Sequence, residues 1–465
     1  MSISVLLIGF CSDNFFRKEG TSGAYGATIK DYKIQQNIDI AIFGTSHALN
    51  AYDPRIIEME LGLSTFNLAC TSQTLKSTQA VAEMIVNDHD LKLVILDLFS
   101  TSVWPSINER GKSLQLNTLD YVPFSAAKSK VIFDMFNINE MPYAFSETLR
   151  YHETWPNKTK QSSVDTYYVW NSIDSYNGYR NSNLIIQDAD WKEFLKVYKE
   201  KRSKGEVPTE LTEGEKKRTL EIIDIFKKRD IPILVVNAPS YLKDEYPVEG
   251  AYAKLLSEFL KKQGLTYLNF NELWEELDLN KMYFKDPNHL NIRGSIATSA
   301  YLARYIKDSF TYKSNVEIPN KKHNRYVHLA TNFENTLFTK QMDSIEKEGL
   351  YGINSANLYQ VSEGRLEILF TVASDTIKQQ PLRLDFYISE EEKNKYPNKS
   401  IVYDNGKASI YGEFKTENII NFEGVNFIPY IFNYPFKEIK KMEFYAGNQR
   451  RIKVFTVENL NIENK

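Results

Sequence analysis

Only two cysteines, Cys11 and Cys70, occur in 465 residues, too few for a disulfide framework and without the clustering of a metal site. They leave the redox compartment open. Neither sign of charge dominates: 57 Lys and Arg against 60 Asp and Glu give a net charge of −3, which supplies no global pull toward nucleic acid or anionic lipid. The apolar run at the N-terminus, residues 3–11, is half a membrane span, and no Lys or Arg precedes it as a secretory signal requires. It reads equally as the stub of a clipped signal or anchor helix and as a buried first strand. Internal repeats, low-complexity tracts, a metal cage, a phosphate loop and a dinucleotide fingerprint are all missing, so neither a cofactor nor a metal is expected.

What is present is folded matter: 42% apolar, 13% aromatic and 25% charged residues, in a chain long enough for two or three domains. Four short runs rich in Ile, Val and Leu, at 40–43, 93–98, 231–236 and 265–270, show no polar alternation. Such runs suit strands buried on both faces. Amphipathic stretches at 77–88 and 213–230 lie between them, the second ending in a basic turn as helix C-termini prefer. Strand and helix thus alternate as in an α/β unit with a parallel sheet. From about 100 to 212 an interruption dense in Trp, Tyr, Asn and Pro intervenes, and only its end, 188–204, reads clearly as helix. An insertion after a sheet strand sits where open α/β folds bind ligands, so it reads as a lid or substrate wall, or as a purely structural excursion. All five tryptophans precede residue 310; the stretches 365–372, 381–389, 427–432 and 451–457 then read as strands, with Asp404, Asn405 and Gly406 as a hairpin signal. The expected organisation is an N-terminal segment 1–37, an α/β domain 38–315 and an all-β sandwich 316–465.

Chemistry concentrates in two places. Ser46, in "FGTSHALNAYDP", follows the first sheet strand in a tight turn. A serine hydroxyl is a poor nucleophile until a base removes its proton and a third group orients that base. "YFKDPNHLNIRGS", after the last sheet strand, carries Asp286 and His289 three residues apart with a helix expected near Asn291. An aspartate at the start of such a turn can hold the ring of the following histidine, and both stretches are expected at the carboxyl edge of the sheet. His47 lacks a spaced carboxylate and reads as a pocket-wall or helix-start residue. His89, His152, His323 and His328 carry no readable partner. Residue 48 is alanine, so this is not the G-x-S-x-G elbow of α/β-hydrolases.

These two stretches, with "FNLACTSQT" between them, together resemble the SGNH (GDSL-like) hydrolase family over about residues 38–310, in particular the branch that O-acetylates bacterial cell-surface polysaccharides, which includes the alginate acetyltransferases. The teichoic acid D-alanyl-transfer protein is more distantly similar. The resemblance implies a three-layer α/β/α domain in which Ser46 is the nucleophile, His289 the base and Asp286 its orienter. The family's Gly-x-Asn-Asp block has no counterpart, since "FSTS" follows the second run. Oxyanion donors are therefore sought among the backbone amides of Ser46 and residues 69–72, Ser72 included, and in the Asn67 side chain, with Asn237 as a pocket residue; each asparagine reads more readily as a turn-former. Trp104, Trp155, Tyr176 and Tyr179 suit sugar stacking, though aromatics more often fill cores. The implied activity is transfer of an acyl group, acetyl by resemblance, to a hydroxyl of an extracytoplasmic polysaccharide, beside a membrane-bound O-acyltransferase that supplies the acyl group. A carbohydrate esterase or deacetylase with the same triad, and a catalytically inactive polysaccharide-binding or assembly protein, are the alternatives. No nucleic-acid partner is expected.

Overall fold

The computed structural model describes residues 25–99, 112–150 and 177–311 apart from 181, 183, 205–209 and 242–246, and then 339–342, 353–362, 365–373, 380–394, 406–414, 419–422, 425–433, 438–446 and 452–461. The chain divides into two compact units, residues 1–155 with 173–318 and residues 156–172 with 319–465.

In the first unit the elements run α1 (Tyr25–Ile34), β1 (Ile40–Phe43), α2 (Ser46–Ala51), α3 (Pro54–Leu61), β2 (Thr65–Asn67), α4 (Leu75–Asp88), β3 (Leu93–Asp97), α5 (Lys112–Leu119), α6 (Ala126–Met135), α7 (Met141–Phe145), α8 (Glu147–Arg150), α9 (Asp188–Ser203), α10 (Glu213–Lys227), β4 (Ile233–Asn237), α11 (Pro247–Lys262), β5 (Thr266–Asn269), β6 (Phe284–Asp286), β7 (His289–Leu290) and α12 (Ile292–Ser309). Five strands form a parallel sheet in the order β2-β1-β3-β4-β5, with Ile40 beside both Thr65 and Leu93 and Val94 beside Ile233.

The unbroken apolar character of β1, β3 and β4 has a direct cause. Successive side chains alternate between faces, and both faces are covered. Ala41, Phe43, Val94, Leu96, Ile233 and Val235 enter one core with α1, α4, α10 and α11. Ile40, Ile42, Leu93, Ile95, Leu234 and Val236 enter a second with α2, α3 and α12. Local signals set the helix ends. Asp53 caps α3 with Pro54 in its first turn and Gly62 closes it at φ 65. Thr212 and Glu215 form a reciprocal capping box at the start of α10.

Three expectations change. Residues 25–34 are not a separate N-terminal segment, because Tyr25, Ile29 and Tyr32 of α1 are buried in the first core. The edge strand β2 is only three residues long, too short to register as a run. Helices α5 to α8 occupy residues expected as irregular insertion, and Leu116, Leu119, Val122, Val131 and Ile132 join the same core. Helices of four to ten residues offer too few turns for a 3.6-residue periodicity to emerge. This part of the insertion is therefore structural. Among the described residues no helix is long and apolar enough to cross a membrane, and no group of three His, Cys, Asp or Glu is arranged to hold a metal ion.

The second unit contains two antiparallel sheets. One has the order β13 (Ile420–Phe422), β14 (Val425–Asn433), β10 (Arg365–Val372), β9 (Ile353–Ser362) and β8 (Thr339–Met342). The other has β12 (Lys407–Phe414), β11 (Gln380–Ile388), β15 (Glu438–Ala446) and β16 (Ile452–Asn461), and a short helix, α13 (Glu390–Asn394), follows β11. Leu384, Phe386, Met442 and Phe444 turn to the buried side, and Phe444 meets Phe370 of the other sheet with ring centres 5.2 Å apart. Gly406, at φ 73, leads into β12; Asp404 and Asn405 lie outside the described residues.

Candidate active site

In a parallel sheet of order 2-1-3-4-5 the connections leave β1 and β3 in opposite directions, opening a crevice at their carboxyl ends. Ser46 lies there, two residues beyond Gly44, which follows β1. A Cβ on Gly44 would fall 2.7 Å from the Ala48 Cβ and 2.9 Å from the Asp97 Cβ, so only glycine lets the chain turn this sharply against β3. Thr45 caps α2 by accepting the His47 N–H.

His289 and Asp286 come from the small β6–β7 hairpin. The His289 Nε2 is 2.8 Å from the Ser46 Oγ, and its Nδ1 lies 2.8 and 2.9 Å from the two Asp286 carboxylate oxygens. The tautomer follows from chemistry: Nδ1 faces a carboxylate and must carry the proton, which leaves Nε2 bare to accept the serine O–H. The Asp286 Oδ1 also accepts the N–H groups of Asn288 and His289. Burial would raise the Asp286 pKa, but the hydrogen bond and charge of His289, the Asn288 N–H and nearby Lys285 outweigh it and hold the carboxyl below its ordinary value. The arrangement can therefore take a proton from the Ser46 hydroxyl and stabilise the imidazolium that results.

The two halves are tied by buried bonds. The Ser299 hydroxyl of α12 accepts the Asp53 N–H at 2.8 Å and donates to the Ala51 carbonyl, linking the helix after His289 to the end of α2. Asn291 caps α12 through the N–H groups of Arg293 and Gly294 while its amide donates to the carbonyls of Met282 and Leu184. Residues 177–180 and 184–187 act as a strap. The Asn177 carbonyl accepts the Asn67 N–H, the Arg180 N–H donates to the Leu49 carbonyl and the Ile186 N–H to the Phe284 carbonyl. Gly178, at φ 88, passes so close that a Cβ there would lie 1.6 Å from the Asn67 carbonyl oxygen.

The remaining expected site residues fare differently. Asn67 is fully buried and its amide is spent on the carbonyls of Ala48 and Tyr52, while its Oδ1 accepts the Ala69 N–H; it braces α2 and has no donor left for a ligand. Asn237 at the end of β4 is buried and donates to the Asn269 Oδ1, while its own Oδ1 is buried without a hydrogen-bond partner. Tyr179 has no exposed surface and the Arg55 guanidinium lies over its ring, which excludes sugar stacking. Ser72 is a partly exposed turn residue at φ 57, two positions after Cys70, whose N–H donates to the Gly44 carbonyl. Trp104, Trp155 and Tyr176 lie outside the described residues.

Apart from His47, which the sequence offered as a pocket-wall or helix-start residue, the neighbours of the triad were not singled out in the sequence. Asp97, at the end of β3, is buried and accepts the Tyr52 hydroxyl and the N–H groups of Ala238 and Phe99; burial pushes it up to about 7 against those three bonds. His47 stacks on Phe99 at 3.3 Å and its ring centre is 4.9 Å from that of His289. Burial first, then the charges of His289 and Lys285, lower its pKa well below the ordinary value, so it stands as a neutral wall. Lys285 donates to the Asn50 Oδ1 at 2.7 Å, and the Asn50 amide donates to the Ser46 carbonyl at 2.6 Å. Burial lowers the Lys285 pKa, with Asp286 opposing and Arg180 adding to the shift. A cleft of about 600 Å³ between α4, α6 and α10, lined by Gln79, Met84, Phe124, Lys130 and Asp224 among others, contains none of these groups.

No protein-family model matches the chain, and no curated protein sequence matches it. Among solved structures, an alkylpurine DNA glycosylase of Pseudomonas fluorescens bound to DNA containing an abasic site analog aligns at 9% identity over 88% of this chain and 99% of that one, with a TM-score of 0.13. The β-glucosidase 3B of Thermotoga neapolitana in complex with α-D-glucose aligns at 9% identity over 92% of this chain and 75% of that one, also at 0.13. Similarity at that level carries no argument about fold or chemistry, and the reading rests on the site itself.

Proposed function

We propose that the chain is a serine-dependent acyltransferase of the SGNH kind, which transfers an acyl group, acetyl by resemblance, to a hydroxyl of an extracytoplasmic polysaccharide through an acyl-Ser46 intermediate. The observation that carries the reading is the continuous Ser46–His289–Asp286 hydrogen-bonded chain, with 2.8 Å between Oγ and Nε2, built from opposite ends of one α/β unit. A serine that merely shaped a turn would not need a histidine with both sides engaged.

In the proposed reaction the Ser46 Oγ attacks the acyl carbonyl as its proton passes to the His289 Nε2. The tetrahedral intermediate collapses by breaking the bond to the donor oxygen, which leaves with that proton. An acceptor hydroxyl then gives its proton to Nε2 and attacks the acyl-serine, and Ser46 Oγ recovers the proton as it leaves. Oxyanion stabilisation falls to backbone amides. The Ala69 and Cys70 N–H groups are committed to the Asn67 Oδ1 and the Gly44 carbonyl and the Thr71 N–H to the Cys70 sulfur, which leaves Ser46 and Ser72 as the candidates. Burial pushes the Cys70 thiol up to about 11, so it is no rival nucleophile.

The second unit, in this proposal, is a sandwich of its two antiparallel sheets that binds the glycan, and the acyl group comes from a membrane-bound O-acyltransferase partner at the cell envelope. The same triad run toward water would make an esterase or deacetylase. A fluorophosphonate probe tests the common ground: a single adduct on Ser46 supports the reading, and an unlabelled serine in folded protein points to the catalytically inactive polysaccharide-binding alternative. Product analysis with a glycan acceptor then separates transfer from hydrolysis.

A further inference from the structure

Two cations, Arg180 and Lys285, stand beside this site without an ion pair among the described residues, Asp286 acting on Lys285 only through space. Arg180 belongs to the strap and is fixed to the helix that carries Ser46 by its N–H bond to the Leu49 carbonyl, 2.9 Å. Its guanidinium is largely removed from water, and the Nε is buried with no hydrogen-bond partner. Lys285 precedes Asp286 and reaches the same helix through the Asn50 Oδ1. The two charges are near enough for Arg180 to act on Lys285, and Lys285 in turn on His47, whose ring lies 4.9 Å from that of His289. One cluster thus runs from Arg180 through Lys285 to the histidine facing Ser46. The carboxylate in it is Asp286, and both of its oxygens are engaged by His289. Among the described residues neither Arg180 nor Lys285 forms an ion pair, in contrast with Arg55, which is held at 2.7 Å by Asp53.

Burying a charge is costly unless a partner compensates it, and breaking up a buried pair is more costly still. Two like charges kept together in a half-buried site, with a guanidinium donor left open, are an arrangement that a ligand's negative charge relieves. Arginine's planar fork matches a carboxylate or a phosphate in two parallel bonds. We propose that Arg180 and Lys285 hold an anionic group, a carboxylate or a phosphate, on the molecule that exchanges its acyl group with Ser46. The inference rests on the acyl-transfer reading of the same site and adds its charge selectivity. It also gives the strap a role: residues 177–180 deliver a cation to the nucleophile as well as bracing the β2 edge.

The test compares esters that differ only in charge. Full-length protein is assayed with 4-acetoxybenzoate, with 4-acetoxyphenyl phosphate, and with the neutral methyl 4-acetoxybenzoate, each rate corrected for the ester's alkaline hydrolysis. The expected result is that kcat/KM favours at least one anionic ester by about tenfold or more, the size of one charged hydrogen bond, and that about 0.5 M NaCl erodes the preference. The carboxylate and phosphate arms identify which anion the site takes. Arg180→Gln should lower the anionic-to-neutral ratio by about tenfold, with Arg180→Lys in between. Equal ratios in wild type and both variants, insensitive to salt, would overturn the proposal. If no ester is turned over and Ser46 resists acylation, the acyl-transfer reading fails by itself. Calorimetric titration of the Ser46→Ala protein with 4-hydroxybenzoate, 4-hydroxyphenyl phosphate and methyl 4-hydroxybenzoate then decides the anion site: binding of an anion that is lost in Ser46→Ala/Arg180→Gln supports it, and no preference for either anion over the neutral ester refutes it. Should Arg180→Gln fail to fold, the salt dependence and charge preference of the wild type carry the same two outcomes.

Discussion

Each member of the Ser46–His289–Asp286 chain has a separable task, and the expected losses are graded accordingly. Ser46→Ala and His289→Ala should each lower kcat by about 10⁶-fold, whereas Asp286→Asn, which leaves a base in place but misdirects its tautomer, should cost about 10⁴-fold. Steady-state hydrolysis of 4-nitrophenyl acetate reads all three. Asp97 makes a different prediction, one of pH-dependent stability. Its folded pKa of about 7 stands above the ordinary 3.8, so the native state holds a proton that the unfolded chain has released. The stability this contributes is fully present below about 3.8 and is lost as pH rises through about 7. Asp97→Asn is destabilised because an amide N–H₂ replaces an oxygen that accepts a donor, at about 1–3 kcal/mol. Urea melts from pH 4 to pH 8 should therefore find its deficit relative to wild type shrinking as pH rises. A deficit that grows would contradict the assignment of Asp97 as a buried, partly protonated carboxyl.

At the level of elements, the site depends on α12 and α2 being locked together, and the Ser299 hydroxyl is the link that spans them. Ser299→Ala leaves the Asp53 N–H buried and unpaired and should cost about 1–3 kcal/mol, readable as a lower melting temperature. Because His289 precedes α12, turnover should fall as well. Thr212→Ala, at the capping box of α10 far from Ser46 in the chain, should cost about 1 kcal/mol and leave kcat unchanged; a comparable loss of turnover there would show that stability alone explains both. Strands β1, β3 and β4 were legible as apolar runs because both faces of the sheet are covered there, whereas the edge strand β5 is only partly covered. The edge strand β2 was hidden by its length, and α5 to α8 by their brevity. The triad was legible because spacing within a turn, Asp286 to His289, is a local property. Its supporting residues were not: Asn67 has the same side chain as an oxyanion donor, and only its partners at Ala48, Tyr52 and Ala69 decide that it braces the fold instead. Arg180 and Lys285 carried no sequence signal because an unpaired charge is defined by what lies around it.

On the scale of the whole molecule, every residue of the triad belongs to the first unit, and the second contributes two antiparallel sheets with their own buried faces. The chain of residues 1–318, which holds the whole first unit together with residues 156–172 of the second, should keep ester turnover on a small activated acetate within about threefold, since units with separate cores fold and act separately. A folded but inactive truncation would assign the second unit a part in the chemistry itself. The central claim is that Ser46 becomes acylated. Wild-type protein mixed with 4-nitrophenyl acetate, quenched in acid and digested, should carry one acetyl group on the peptide containing residues 44–50, and His289→Ala should form it slower by orders of magnitude. Continued ester turnover with that peptide unmodified, and with Ser46→Ala as active as wild type, would contradict the account.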